Sequence, residues 1–140
     1  VASADDATTG TVVSDKVIMT FGSECVDVTE HADGNQAVGN TCADNLEPGA
    51  DGGSTIELRS SENVVEDNTI SGSAGLGVKV AADPGSPVPS ANVIRDSTII
   101  IAPYPAISVT PAGGASACGN TIGAGEATVG IPPAVAEAPC

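Results

Sequence analysis

Apolar residues in this chain alternate with polar ones inside short runs, and the runs recur. Asn63-Val64-Val65-Glu66-Asp67-Asn68-Thr69-Ile70 lies over Asn92-Val93-Ile94-Arg95-Asp96-Ser97-Thr98-Ile99 at a constant offset of 29 residues, and the same offset carries Gly77-Val78-Lys79-Val80 onto Ala106-Ile107-Ser108-Val109. Two short segments therefore repeat together, which marks an internal repeat of a strand-rich unit. Upstream, Val26-Asp27-Val28 lies 30 residues before Ile56-Glu57-Leu58, and Asn40-Thr41 lies 28 before Asn68-Thr69. Downstream, Asn120-Thr121-Ile122 with Val129-Gly130-Ile131 forms a shorter third copy. No window carries an apolar stripe of helical period, and 10 prolines and 17 glycines spread along the chain oppose long helices.

The pattern divides the chain into one domain over residues 1–140. Residues 1–21 are an N-terminal arm and first strands, with Thr11-Val12-Val13 and Lys16 to Phe21 as the strand-like runs. Residues 22–131 are the repeating coils, in which Asp44 to Gly53 and Pro111 to Ala117 read as loops of small and polar residues. Residues 132–140 are a Pro-rich tail that cannot be a central strand.

Parallel strands joined without helices leave few architectures. The natural one is a coil in which each strand pairs with its copy one turn later, about 4.8 Å away. Its register predicts inward columns: Ile56, Val78, Ile107 and Val129; Leu58, Val80, Val109 and Ile131; Ile70, Ile99 and Ile122; Val65 and Ile94. Outward, Glu66 falls on Arg95, and Asp27, Glu57 and Lys79 share a column. Asn63 over Asn92 is a candidate side-chain amide ladder, with Asn68, Ser97 and Asn120 in a turn column.

These matched segments resemble the right-handed parallel β-helix repeat of pectate-lyase-like, carbohydrate-active proteins. The resemblance is good from Thr55 to Ile131 and weaker back to Val26. It implies an all-β solenoid of about five coils with little or no α-helix. It also implies that an enzyme of this kind would bind calcium through carboxylates and abstract a proton with a basic residue. The residues that could do so are Asp67 and Asp96, one above the other, with Arg95 and Lys79 nearby. The plainer reading is an outward acidic column on an acidic protein, with Lys79 and Arg95 as charge partners. Catalytic members of that family are usually longer, with loops that build a groove.

Charge narrows the partners. With 18 Asp and Glu against 4 Lys and Arg, the formal net charge is −14, which excludes a phosphate-binding surface for nucleic acid and an anionic membrane surface. No run of 18 apolar residues offers a membrane-spanning helix. Phe21 and Tyr104 are the only aromatic residues, so a sugar-stacking platform is not expected. With one histidine, His31, and no Cys-x-x-Cys pair, a zinc site is not expected either.

Cys25, Cys42, Cys118 and Cys140 allow three disulfide pairings or four free thiols. Cys25–Cys42 with Cys118–Cys140 is favoured, because each closes a local loop and pins one end of the repeat. Disulfides, and a chain beginning Val1-Ala2-Ser3, suit a secreted protein whose signal peptide has been removed, at the cell surface or outside the cell.

Two classes of function follow. One is an extracellular structural subunit of a filament or surface assembly, formed by end-to-end stacking or strand complementation at exposed strand edges, with Val12, Val13, Val17, Ile18 and Phe21 of the first strands as the assembly residues. No capping helix is evident at either end. The other is a polysaccharide-active enzyme or carbohydrate-binding module. A flat ice- or mineral-binding face would need a regular outward Thr array, and the column through Asp27, Glu57 and Lys79 does not supply one.

Overall fold

The computed structural model describes residues 2–4, 9–46, 49–72, 74–101, 103–123 and 127–140, with the side chains of 2–4, 21 and 49–52 left aside. Its strands form three parallel sheets, each built by stacking one strand per coil. Sheet A holds β1 (Ala2–Ala4), β4 (Val26–Val28), β7 (Gly49–Leu58), β10 (Gly75–Ala81), β13 (Ile107–Thr110) and β16 (Thr128–Val129). Sheet B stacks β2 (Val12–Ser14), β5 (Gln36–Val38), β8 (Val64–Glu66), β11 (Asn92–Arg95) and β14 (Ala115–Cys118). Sheet C stacks β3 (Val17–Phe21), β6 (Thr41–Asn45), β9 (Thr69–Ser71), β12 (Thr98–Ile100) and β15 (Thr121–Ile122). The chain is a parallel β-helix of about five coils.

Alternation decides what each coil buries. Ile56, Val78 and Ile107 are register partners in sheet A, as are Leu58, Val80 and Val109. Ile70, Ile99 and Ile122 stack in sheet C, and Val65 and Ile94 in sheet B. Nearly all of these side chains are fully buried. Apart from β7 and β10 the strands have two to five residues, so the core is a set of thin columns, which β-branched residues fill at low conformational cost.

The turn from sheet B to sheet C needs a left-handed residue on every coil. Asp15, Gly39, Asp67, Asp96 and Gly119 occupy it, with φ of 55°, 66°, 54°, 52° and 66°. Glycine and aspartate are among the few residues that adopt this conformation readily. The next residue is a ladder rung. The Asn40 Oδ1 accepts the Lys16 N–H at 3.1 Å, Asn68 Oδ1 accepts Asn40 N–H at 2.9 Å, Ser97 Oγ accepts Asn68 N–H at 3.1 Å, and Asn120 Oδ1 accepts Ser97 N–H at 3.1 Å. A second ladder enters sheet B on the other side: Asn35 Oδ1 accepts Thr11 N–H, Asn63 Oδ1 accepts Asn35 N–H, and Asn92 Oδ1 accepts Asn63 N–H, at 2.8–2.9 Å. These side chains are buried and satisfy turn amides that the sheets cannot reach.

The structure corrects several sequence expectations. Ala2–Ala4 is not a free arm but a strand paired with β4. The Asp44–Gly53 loop is largely strand, since β6 runs to Asn45 and β7 starts at Gly49; backbone pairing outweighs its glycine-rich composition. The Pro111–Ala117 loop gives way to β14, whose small side chains hide its alternation. Val129 pairs with Ser108 and points outward, 44 % exposed, while Thr128 faces Ile107. The left-handed Gly130 then turns the chain so that Ile131 enters the core instead.

A one-turn helix, α1 (Pro133–Ala136), lies in the Pro-rich tail, where no capping helix was expected. Two prolines set its first turn, since their fixed φ is already helical and their missing N–H is not needed there.

Candidate functional site

Three places gather chemistry. The outward face of sheet A carries Asp27, Glu57 and Lys79 in register. Arg59, which the sequence reading passed over, completes the group. Its guanidinium donates to both Asp27 oxygens at 2.8 and 2.7 Å and to Asp83 at 3.4 Å. Lys79 Nζ lies 3.0 Å from Glu57, whose other oxygen accepts a bond from the Ser54 hydroxyl at 3.1 Å. Glu57 is only 6 % exposed, so this face is partly desolvated although its side chains point away from the core.

That desolvation acts on the charges of Asp27 and Arg59. Burial raises the Asp27 pKa above the ordinary carboxylate value, against the pull of Arg59. Burial pulls Arg59 down, but Asp27, Glu57, Asp83 and Glu30 together outweigh it and raise its pKa. The pair is asymmetric because the arginine faces several carboxylates and Asp27 faces one cation. Chemically, the cluster is a set of closed ion pairs, and a proton abstraction of the lyase kind would require Arg59 or Lys79 to leave its carboxylate.

The second place is the turn holding Asp67 and Asp96. The two residues sit on successive coils in the left-handed turn column, and both are exposed. Two carboxylates are short of the roughly six to eight oxygens that calcium takes. Among the described residues no group of three or more His, Cys, Asp or Glu is placed to hold a metal ion. Next to this turn, Arg95 donates to Glu66 at 2.9 Å across the coils. That hydrogen bond, followed by the charge of Glu66, raises the Arg95 pKa.

The third place is the pair of ends, and they differ. At the C-terminal end the tail folds back over the last coil. Gly119 N–H donates to Ala138 O at 2.6 Å, and Asn120 donates to Ala136 O from both its backbone N–H and its Nδ2, at 3.1 and 3.0 Å. Ala136 and Ile131 are buried, and the inward Ala117 and Ile122 of the last coil are covered. Cys118–Cys140 ties the tail down, and Cys25–Cys42 spans the second coil, from the residue before β4 to β6.

At the N-terminal end, Val13 and Ile18 face inward at the foot of their columns yet are only half-buried. Above them in the same columns, Cys42, Ile70, Val65 and Ile94 are fully buried and Ala37 nearly so. On the same coil Val12, Val17 and Met19 are 55 %, 71 % and 59 % exposed. The sequence-based assembly residues Val12, Val13, Val17 and Ile18 therefore share this end; the Phe21 side chain lies outside the described residues.

Sheet C also carries the outward Thr array missing from sheet A. Thr41, Thr69, Thr98 and Thr121 are successive register partners, continued by Val17 below them. Beside them run Met19, Ala43, Ser71 and Ile100, so the face is uncharged on a chain of net charge −14.

No helix among the described residues is long and apolar enough to cross a membrane. Comparison with protein-family models, curated proteins and solved structures finds no match for the chain.

Proposed function

We propose that this is an extracellular structural protein, a subunit that joins a second copy through its N-terminal coil. The observation that carries the reading is the difference between the ends. Val13 and Ile18 reach solvent at the foot of columns that the tail closes at the top. A strand edge that none of the described residues covers, over apolar side chains, is a template for another chain. With one end covered, the contact that fits is one interface per chain, a pair joined end to end rather than an open filament. Two disulfides suit the oxidising environment outside the cell.

Light scattering across a concentration series tests this, with electron microscopy to identify any longer assembly. The mass should rise toward twice the chain mass, and Ile18→Lys, an inward charge at the open end, should hold the protein monomeric. A wild-type chain that stays monomeric at high concentration sinks the proposal.

The Thr column of sheet C supports a second reading, a face that binds an ordered surface such as ice. Hydroxyl and methyl groups stacked in register on an uncharged sheet face suit an ordered array of water. Thermal hysteresis and ice shaping measure it, and Thr69→Lys should abolish both; wild-type protein without either effect removes this reading. The polysaccharide alternative rests on the pectate-lyase-like resemblance and on the sheet A cluster alone.

A further inference from the structure

The two disulfides have different surroundings. Cys25 and Cys42 are both 0 % exposed. Cys118 is half-buried and Cys140 is exposed. A thiolate reductant can therefore reach the second bond while the fold is intact, whereas the first is reached only when the core opens.

The bond that can be reached is the one that holds the tail. Apart from Ile131 and Ala136, the described side chains from 131 to 140 are exposed. Helix α1 has four residues, far below the length at which a helix persists alone. The covalent link, three hydrogen bonds to Ala136 O and Ala138 O, and the buried side chains of Ile131 and Ala136 keep this segment on the last coil. Those carbonyls stand in for the rung that a further coil would supply, since Asn120 N–H has no ladder side chain above it.

We infer that Cys118–Cys140 is a redox latch on the C-terminal edge of the β-helix. A dithiol supplies the reductant. One of its thiolates attacks a sulfur of the bond and forms a mixed disulfide, and the other cysteine leaves as a thiolate and takes a proton. The second thiol of the reductant, as its thiolate, then closes the reductant's own disulfide and releases the remaining cysteine. Two electrons pass to the protein, which ends with two thiols. The tail leaves, and the amides of Gly119 and Asn120 lose their acceptors along the edges of β14 and β15.

The Asp96 carboxylate lies 3.9 Å from the Cys140 sulfur. It repels an incoming thiolate, so it slows the opening. The edge beneath the tail is what the open first coil of a second copy would need in order to stack in parallel. That consequence rests on the self-association proposed above. Oxidised protein stops at a pair, and reduced protein can extend.

The test treats folded protein with dithiothreitol. Alkylation with mass mapping identifies the opened cysteines, amide hydrogen exchange follows the edge, and light scattering follows mass. Cys118 and Cys140 should be alkylated first. Gly119 and Asn120 should lose protection by about tenfold or more while Asn40 and Asn68 keep theirs. Cys140→Ser should show the same exchange pattern without reductant, and Asp96→Asn should open faster than wild type. Joint opening of both disulfides, or unchanged protection at Gly119 and Asn120 after reduction, overturns the latch. Selective opening and undocking with no growth in mass beyond the pair leaves the latch standing and overturns the extension of the stack through its C-terminal edge.

Discussion

Asn68 accepts two hydrogen bonds from Asn40, one from its backbone N–H at 2.9 Å and one from its Nδ2 at 3.0 Å. Its own Nδ2 donates to the carbonyls of Ala37 and Glu66, at 2.8 and 3.0 Å. One buried amide thus fastens two coils at the turn. Backbone bonds cross the coils on either side of this rung, from Gly39 N–H to Glu66 O at 3.0 Å and from Thr69 N–H to Asn40 O at 2.8 Å, and the Asn40 N–H between them is bonded by the Asn68 side chain.

Asn68→Leu should therefore destabilise the fold by about 1–3 kcal/mol for each buried group left without a partner. Asn68→Ser should cost less, because Ser97 already serves as a rung in this ladder. Urea unfolding of the two variants gives the comparison; equal losses would mean that the amide acts by volume alone.

Gly77 faces the next coil so closely that a Cβ would collide with the Ala106 carbonyl oxygen and lie 2.8 Å from Ile99 Cγ2. Gly77→Ala should cost about 1–3 kcal/mol or more, since both obstacles belong to packed neighbours. Thermal unfolding should show a lower Tm, and an unchanged Tm would place the coils further apart than described.

Asp67 tests whether its turn is there for backbone shape. Asp67→Gly keeps the left-handed conformation and should leave stability within about 1 kcal/mol. Asp67→Val should cost about 1–2 kcal/mol, the penalty of a left-handed residue with a crowding Cβ. Calcium titration of the wild type completes the comparison: stabilisation by calcium that Asp67→Gly abolishes would instead assign the carboxylate to a metal.

Asp27 sets a pH dependence. Its folded pKa lies above the unfolded value of 3.8 because burial disfavours the charge. Between those two values the folded state holds the proton more tightly than the unfolded chain. Stability contributed by this group is therefore full below the unfolded pKa and lost as pH rises through the folded one. Asp27→Asn should remove that part of the slope in a series of urea curves while keeping one oxygen for Arg59. A slope that Asp27→Asn leaves unchanged would assign it to the other carboxylates.

The repeat from Thr55 to Val109 was readable because apolar side chains advertise their columns: Ile70 over Ile99 and Val65 over Ile94 stand where the offset places them. So does the Glu66–Arg95 pair, since opposite charges at one offset meet on adjacent strands. The ladder was legible only in part. Asn35 follows Asp33-Gly34 and reads as a turn, although it is a rung bound to Asn63. Strand β14 escaped notice because Ala115-Ser116-Ala117-Cys118 has almost no hydrophobic contrast.

Arg59 was missed for another reason. Its partner Asp27 is 32 residues away, outside the repeat offset, and no pattern announces the contact. The tail was the hardest to read. Prolines and alanines look like an unstructured end, and its role lies in two carbonyls that any residue could provide. The ends of the stack, where function is proposed, are where the repeat stops carrying information.

Amide hydrogen exchange at two protein concentrations tests the account most directly, because it reads both ends at once. The amides of β14 and β15, under the tail, should be protected equally at low and high concentration. Those amides of β2 and β3 that point away from β5 and β6 should exchange quickly in dilute protein and slow by about tenfold or more as copies associate. Exchange in β2 and β3 that ignores concentration, or that is as slow in dilute protein as in β14 and β15, would contradict the open N-terminal end on which the proposed function stands.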